Sequence, residues 1–537
     1  MKYLANFFVN VRIDNSRLIR TFVALATLSV LTACGGGGGG GTTTPPPPPP
    51  PPGGTGWQMG MFMPASTFAG QCQAPRPGTG DMQGMTVDEN NFLRSFSDDT
   101  YLWYSEITDQ DPGPFNDPIA YFGVLRTTAT TASGQDKDKF HFTFDTEEWI
   151  QLSQSGVSAG YGASFAVLAG APPREIVVAY TDPNTPATNL PIPLTRGATI
   201  ISVDGAAVVD GDPAVLNAGL FQASAGETHD FEVLDLGAQT SRTITMTAAN
   251  IASTPVQNVR VIDTPTGRIG YMLFNDHIAT AEEGLVDAVN QLNAGQGIDE
   301  LVLDLRYNGG GFLAIASQMA YMIAGSAQTA GRTFETTQFN DKHTITDIFG
   351  RPITPTPFFD VTLGPPFPLP PGQPLPTLDL SRVYVITSSG TCSASEAVMN
   401  GLRGIGVEVI QIGSTTCGKP YGFFPQDNCG TTYFTIQFRG VNEMNFGDYS
   451  DGFVPSAADD GQANVLGCPV QDDFTKLLGD PTENRLEVAL AHQAGMGCIT
   501  PVGVASGVLS KTGIPMNAAD GIVPKSLWHT NRIMRPR

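Results

Sequence analysis

The spacing of apolar and polar residues changes twice along the chain, and the changes divide it into three folded regions. Residues 57–150 place apolar side chains at helical intervals, which predicts a helical N-terminal domain. Residues 151–255 form short alternating runs separated by Gly and Pro, a pattern typical of strands and turns. Residues 256–500 alternate apolar strands with amphipathic helices. The pattern as a whole predicts a multidomain α/β protein.

The third region gives the clearest secondary-structure predictions. A near-continuous apolar run at 301–305 is typical of a parallel strand that is buried on both faces. Two capping boxes, Thr86 with Glu89 and Thr280 with Glu283, predict helix starts. The Pro-rich stretch 351–380 predicts an irregular surface excursion. The other predicted strands are 268–274, 383–386 and 407–412, and the other predicted helices are 120–125, 312–323 and 394–402.

The N-terminus has the order of an export signal. A basic leader and the apolar stretch 21–31 are followed by the small residues before Cys34, which predicts a signal peptide at 1–33. The end of this stretch resembles the bacterial lipobox, in which Cys34 is lipidated; an ordinary signal peptide is the alternative. The Gly/Pro-rich stretch 34–56 predicts a tether. The resemblance implies a cell-envelope protein, sorted to the outer membrane if the cell has two membranes.

Charge and cysteine content narrow the range of partners. The chain has 51 acidic and 29 basic residues, a net charge of −22, which argues against nucleic acid. Six cysteines follow the lipobox, and export permits disulfides. We predict a disulfide between Cys417 and Cys429, and next one between Cys468 and Cys498. The remaining two are Cys72 and Cys392. No Cys-x-x-Cys or His-Glu-x-x-His pattern occurs, so no metal is expected.

The second region contains a short loop of possible binding function. Gly160 and the residues Tyr161, Gly162 and Ala163 precede the alternating stretch 164–168. This order resembles a PDZ domain, in which the N–H groups of such a loop bind a peptide's terminal carboxylate while the peptide adds a strand. A small β-barrel without this function is the alternative. The resemblance implies a PDZ-like domain over 151–255.

Three loops at predicted strand ends carry unusual chemistry. We name them the glycine loop (306–311), the serine loop (387–396) and the lysine loop (413–420). Ligands bind beyond the carboxyl ends of strands in open α/β sheets, and a Gly run before a helix leaves N–H groups for an anion. Each loop alone also has an ordinary interpretation, as a tight turn, a helix cap or a solvated cation. Their occurrence on successive strands favours function.

The same loops carry a family resemblance, which extends over roughly residues 90–495. The resemblance is to the carboxy-terminal processing, or tail-specific, serine peptidases. It implies a peptidase core at 256–500 with Ser393 as nucleophile, Lys419 as general base, and the N–H groups of Ala394 and Gly310 as the oxyanion hole. Glu396 is implied as structural or assisting, and no cofactor is implied. The matching segments are Leu303–Gly311, Thr391–Glu396, Gly418–Gly422 and Asp448–Pro455.

The resemblance has two departures and one chemical requirement. Phe423 stands where some members carry a Gln that orients the Lys, and Gly309 stands where Pro is frequent. A Lys with its ordinary pKa of about 10.4 is protonated, so it must be buried to act as a base. Cys417, Pro420 and Phe424 join Phe423 as a possible apolar wall. The absence of any Ser-x-x-Lys sequence excludes the penicillin-binding type of dyad.

Two functions follow from these observations. The first is a membrane-anchored serine endopeptidase that cleaves protein substrates and captures their C-termini in the PDZ-like domain. The alternative is a catalytically silent relative that binds or scaffolds peptides. The presence of both Ser393 and Lys419 favours the enzyme. The tail at 501–537 suggests no function.

Overall fold

The computed structural model describes residues 57–221, 224–501, 520–524 and 532–534. The predicted signal peptide, Cys34 and the tether lie outside the described residues, as does most of the tail. None of the helices in these ranges is long and apolar enough to cross a membrane.

The first region contains short helices that pack through aromatic side chains. Phe92 and Phe96 stack on one face of helix α1, and Tyr121 from α2 joins their cluster. The helix begins where Asp88 accepts a hydrogen bond from the N–H of Met85 at 2.9 Å. The elements are β1 (Gln71–Cys72), β2 (Met82–Gln83), α1 (Thr86–Thr100), α2 (Pro118–Phe122), β3 (Phe142–Asp145) and α3 (Thr146–Ser155).

The middle unit contains a sheet that is buried on both faces at its strands β5 and β6. Its main sheet has the order β10-β9-β7-β6-β5, so β5 is an edge strand. Ile176 and Val178 of β6 face the unit's own apolar cluster, whereas Val177 and Tyr180 pack on the core. The elements are β4 (Val157–Gly160), β5 (Ala163–Ala169), β6 (Glu175–Thr181), β7 (Thr199–Val203), β8 (Ala206–Ala207), α4 (Pro213–Leu220), β9 (Thr228–Leu234), β10 (Arg242–Thr247) and β11 (Ala249–Ala252).

The third region contains the main sheet, with the order β12-β13-β14-β18-β19-β25-β24. Every neighbouring pair is parallel except β12 with β13. The elements are β12 (Val256–Thr264), β13 (Gly267–Phe274), α5 (Ala281–Leu292), β14 (Glu300–Asp304), β15 (Gly311–Phe312), α6 (Leu313–Ala324), α7 (Ser326–Thr329), β16 (Thr333–Gln338), β17 (Thr356–Pro357), β18 (Arg382–Thr387), α8 (Ala394–Gly404), β19 (Glu408–Gly413), β20 (Tyr421–Gly422), β21 (Gln426–Asn428), β22 (Thr431–Phe434), β23 (Phe438–Val441), β24 (Val454–Ser456), β25 (Asn464–Pro469), α9 (Asn484–Gln493) and β26 (Arg532–Ile533).

Both faces of the main sheet are covered. Helices α5, α6 and α8 pack on one face, while α9 and the middle unit cover the other. Strand β14 therefore sends Leu303 to one apolar cluster and Val302 to the other. This double burial explains why its sequence is apolar without alternation.

The structure corrects two local predictions in detail. The capping residue of α1 is Met85 rather than Thr86, and Thr280 precedes α5 in helical backbone geometry without a side-chain cap hydrogen bond. The Pro-rich stretch 351–380 has little regular structure and is exposed in part, as predicted, but it is also anchored in the core. Its side chains Phe358 and Phe367 are buried in the main cluster, because the stretch lies along α6 and closes the core.

The structure contains one of the two predicted disulfides. The described disulfides are Cys72–Cys429, Cys392–Cys417 and Cys468–Cys498. The predicted Cys417–Cys429 bond is wrong, and the Cys468–Cys498 bond is confirmed. Between Cys417 and Cys429 the chain passes through β20 and β21, which carries Cys429 to the first region. Closeness in sequence therefore did not bring these two cysteines together.

Candidate active site

The glycine, serine and lysine loops meet at the carboxyl edge of the main sheet. Strands β14, β18 and β19 are neighbours, so their loops emerge side by side. The N–H of Cys392 donates to the carbonyl of Asn308 at 3.1 Å, and the N–H of Cys417 donates to the carbonyl of Thr391 at 3.0 Å. These bonds join the serine loop to each of its neighbours.

Ser393 lies at the turn between β18 and α8, immediately before the helix. It is buried, and its backbone has φ 59° and ψ −108°. Residues other than Gly rarely adopt such a positive φ, because this backbone conformation costs them on the order of 1–3 kcal/mol. Ser395 lies within the helix, where its hydroxyl donates to the carbonyl of Asn308 at 2.9 Å. Ser395 therefore holds the glycine loop, while Ser393 occupies the strained position.

Lys419 is fully buried in an aromatic enclosure. Its Nζ lies 4.4 Å from the ring centre of Phe140 and 4.9 Å from that of Phe423. Phe423 is one of the wall residues expected from the sequence. Phe140 was missed because it comes from the first region, far away in sequence. Phe424 packs against Phe349 instead.

Glu396 connects the serine and lysine loops. Its Oε2 accepts the backbone N–H of Ser393 and that of Lys419, each at 2.8 Å. Its Oε1 accepts the hydroxyl of Thr416 at 2.6 Å and the N–H of Gly418 at 2.9 Å. Burial raises the pKa of Glu396, and these donors oppose the rise. Because both N–H groups donate to the same oxygen at 2.8 Å, the backbone nitrogens of Ser393 and Lys419 are held close together.

The two predicted oxyanion donors, the N–H groups of Ala394 and Gly310, differ in whether a protein group already accepts them. Ala394 is the first residue of α8, so no carbonyl of the helix can accept its N–H. The N–H of Gly310 donates to Asn308 Oδ1 at 3.0 Å, an oxygen that also lies 2.9 Å from His277 Nδ1. Gly310 must therefore exchange this partner before its N–H can reach a ligand.

Two groups of polar residues near the site were not predicted from the sequence. Asn275, Asp276 and His277 follow β13 and are buried; applying the strand-end rule to β13 would have identified them. Arg306 of the glycine loop is also buried, and it bonds the carboxylates described next.

A buried ionic cluster supports the glycine loop. Arg306 contacts Asp304, Asp472 and Glu483, with its Nη1 at 2.6 Å from Asp472 Oδ1. Arg196 of the middle unit reaches the same oxygen at 2.6 Å. Burial acts to raise the pKa of Asp472, but the arginines around it outweigh burial and hold that pKa well below its usual range.

The predicted carboxylate loop is part of the fold of the middle unit. Tyr161 is buried, and its carbonyl accepts the N–H of Ala187 at 2.9 Å. The carbonyl of Gly162 accepts the N–H of Asp182 at 2.8 Å, and Ala163 begins β5. At Gly162, φ is +73° and a Cβ would lie 2.4 Å from Thr185, so this position requires Gly.

One group of residues in the described part has the spacing of metal ligands. Cys392, Glu396 and Cys417 place their ligand atoms within 4.8 Å of one another. The disulfide uses both sulfur atoms, whereas a cysteine must be a free thiolate to bind a metal. This group therefore does not fit a metal in the oxidised protein.

Together the sheet and its loops define an α/β protein with a serine at a strained strand-to-helix turn and a buried lysine on the next loop. Residues 268–425 match the profile of peptidase family S41. A carboxyl-terminal-processing protease of Picosynechococcus sp. is 27% identical over 277 residues, or 50% of this chain and 56% of that protein. The chain thus contains a peptidase family S41 domain and is a homologue of the carboxyl-terminal-processing proteases, which confirms the family named from the sequence.

A solved structure shares the fold. A putative S41 protease from Bacteroides fragilis matches with a TM-score of 0.55 at 20% identity, over 75% of this chain and 97% of that one. The photosystem II D1 C-terminal processing protease is 18% identical with a TM-score of 0.39, over 69% of this chain and 91% of that one. The match to the curated relative spans little more than half of that protein's length.

Proposed function

We propose that the chain is a serine endopeptidase in which Ser393 is the nucleophile and Lys419 the general base. The observation that carries this proposal is Glu396, whose one oxygen binds the backbone of both residues. A Ser hydroxyl is a weak nucleophile that needs a base within hydrogen-bond reach. A buried Lys in a closed, largely apolar enclosure is a suitable base when it is neutral.

The reaction follows from these groups. Neutral Lys419 accepts the hydroxyl proton of Ser393 as its Oγ attacks the scissile carbonyl. The resulting oxyanion binds the N–H of Ala394 and that of Gly310, once Gly310 has left Asn308. Each such donor is worth about 2.7–4 kcal/mol. Lys419 then gives its proton to the leaving amine, and water hydrolyses the acyl-enzyme by the same route.

The alternative is a silent peptide-binding protein. The hydrogen bond between the N–H of Gly310 and Asn308 favours it, because that bond occupies an oxyanion donor. A serine-reactive phosphonate, followed by mass mapping of the labelled peptide, separates the two functions. We expect label on Ser393, none in Ser393→Ala, and nearly normal label in Ser395→Ala. Absence of label from the unaltered protein would support the silent alternative.

Turnover of an unfolded protein tests the dyad itself. We expect Ser393→Ala and Lys419→Ala each to abolish almost all cleavage, and the double variant to be little worse than either, because the two side chains act as a unit. Chelators are expected to have no effect. Full activity in Lys419→Ala would contradict the assignment of the base.

We also propose that the middle unit is PDZ-like and captures the substrate's C-terminus at Tyr161, Gly162 and Ala163. The support is that this loop leads directly into the edge strand β5, to which a peptide strand can add beside the single bridge that Val167 makes with Ile522. A substrate with an amidated C-terminus is expected to show a higher KM than its free-acid form, with kcat unchanged. Equal KM values would reject capture through the carboxylate.

Finally, we propose that Cys34 carries a lipid that holds the protein at the cell envelope, on the outer membrane where two membranes exist. The support is the lipobox and the Gly/Pro-rich stretch that follows it. Cys34→Ser is expected to move the protein from the membrane fraction to a soluble one. An unchanged membrane fraction would reject this anchor.

A further inference from the structure

A short strand from the tail lies beside the candidate active site. Strand β26 pairs in parallel with β15, with Arg532 opposite Gly311 and Ile533 opposite Phe312. Strand β15 comes directly after Gly310, the predicted oxyanion residue. The tail backbone therefore runs along the edge of the glycine loop.

The same tail strand also contacts the chain that follows the lysine loop. The N–H of Met534 donates to the carbonyl of Phe423 at 3.2 Å, and Met534 packs against the main apolar cluster. Phe423 is one of the two residues whose rings contact Lys419 Nζ. Residues 532–534 thus bridge the glycine loop and the segment that follows the lysine loop.

A second part of the tail holds the edge of the middle unit. Ile522 and Val167 exchange both backbone hydrogen bonds, at 2.8 and 2.9 Å. Val167 lies on β5, the edge strand that follows the predicted carboxylate loop. Asp520 is buried and bonds Arg485 at 2.8 Å, which fixes this part of the tail to the core.

We propose that β15 is a docking edge for an extended peptide and that residues 532–534 of the tail occupy this edge as an intramolecular competitor of the substrate. Residues 520–524 anchor the tail to the middle unit and the core. This proposal rests on the proposed function, since the tail competes with a substrate only if the protein is a peptidase. Strand pairing uses backbone groups, so the edge accepts many sequences. The apolar contact of Met534 indicates a preference for an apolar side chain at that position of a bound peptide.

The direction of the tail makes it a competitor rather than a substrate. A peptide whose C-terminus is captured by the middle unit reaches the active site with residues that precede its C-terminus. The tail has the reverse order, since residue 522 contacts the middle unit and the later residues 532–534 contact the site. It therefore blocks the path of the substrate without following its course.

Binding tests the proposal without any need for turnover. The full chain carries Ser393→Ala, and the probe is a fluorescent peptide with the sequence of residues 525–537. We expect the additional change Met534→Asp in the protein to release the tail and tighten binding of the probe at least about tenfold, because a tethered segment competes at a millimolar effective concentration. Met496→Asp, at an exposed methionine (64% exposed), is the matched control and should not change binding.

Further measurements with the probe and with the phosphonate test the competition between tail and peptide. A probe that itself carries Met534→Asp is expected to bind weakly to every protein, and equal binding of the unaltered probe to tail-intact and tail-released proteins would overturn the proposal. If Met534→Asp unfolds the protein, deletion of 525–537 takes its place. Labelling of Ser393 by the phosphonate in the active chain is expected to be faster after release of the tail. No labelling in any variant would reject the proposed function and leave the binding result unaffected.

Discussion

At the scale of single residues, Glu396 is the group on which the geometry of the candidate site depends most. Its carboxylate accepts four hydrogen bonds from the serine and lysine loops, two on each oxygen. A carboxylate can accept at both ends, whereas an amide of the same shape offers one accepting oxygen and one donating NH₂. This difference makes Glu396→Gln a sensitive test of the arrangement.

We expect Glu396→Gln to lower kcat/KM about 10- to 100-fold, because two donors lose their acceptor and each unsatisfied buried group costs about 1–3 kcal/mol. Peptide turnover measures the loss, and the melting temperature shows whether the fold survives. Glu89→Gln is the control, since Glu89 is a buried glutamate of the first region that accepts a hydrogen bond from Gln73. Unchanged kcat/KM in Glu396→Gln would show that this carboxylate does not position the dyad.

The enclosure of Lys419 gives a prediction about pH. We expect kcat/KM to rise as Lys419 loses its proton, because only the neutral amine can accept the proton of Ser393. The ring face of Phe140 favours the ammonium, by about 0.5–2 kcal/mol. Phe140→Leu removes that attraction while keeping the site apolar, so the rising limb is expected to move to lower pH by roughly 0.4–1.5 units.

Phe424→Leu is the matched control for this shift, because Phe424 packs against Phe349 rather than Lys419. Its pH–rate profile is expected to coincide with that of the unaltered protein. A rising limb that stays in place in Phe140→Leu would mean that Lys419 does not titrate in this step.

At the scale of elements, a disulfide ties together the two loops that carry the proposed reacting residues. Cys392 immediately precedes Ser393, and Cys417 is two residues before Lys419. Closing a loop of this length stabilises a protein by roughly 3 kcal/mol. Its position indicates a second effect, which is to keep the serine and lysine loops in register.

We expect the double variant Cys392→Ala with Cys417→Ala to lose kcat out of proportion to its loss of stability. The control is Cys468→Ala with Cys498→Ala, since the two disulfides span similar separations of 25 and 30 residues. Both double variants should lose comparable stability in urea unfolding. Equal retention of kcat would show that the Cys392–Cys417 bond is only structural.

The sequence predicted the local parts of this fold well. Strand β14 and helix α8 lie within a residue or two of their predicted bounds, because each is determined by its own apolar pattern. The structure also brings the three strand-end loops together. Phe140 and the Cys72–Cys429 bond could not be predicted, because both depend on packing of the first region against the core, which no local pattern encodes. His277 could have been found by the strand-end rule.

At the scale of the whole molecule, Asp472 connects the parts that must stay in place for the site to form. Its carboxylate accepts from Arg196 of the middle unit and from Arg306 and Tyr307 of the glycine loop. Its backbone N–H donates to Asp520 of the tail at 3.1 Å. The carboxylate of Asp472 thus links the middle unit to the glycine loop, and its backbone adds the tail.

We expect Asp472→Asn to lower the free energy of unfolding at pH 7 by about 3–5 kcal/mol, because it leaves buried arginine charges without their partner. The pKa of Asp472 is depressed in the folded protein, so its stabilisation is present above its unfolded pKa of about 3.9 and is lost as the pH falls toward the folded value. The difference between variant and unaltered protein in urea unfolding should therefore be constant from pH 7 to about pH 4 and shrink below that. Asp473→Asn is the control, since among the described residues the Asp473 carboxylate bonds only the neighbouring Thr475. A difference that shrinks between pH 7 and pH 5 would contradict the depressed pKa, and a difference no larger than that of Asp473→Asn would show that this cluster does not hold the parts of the molecule together.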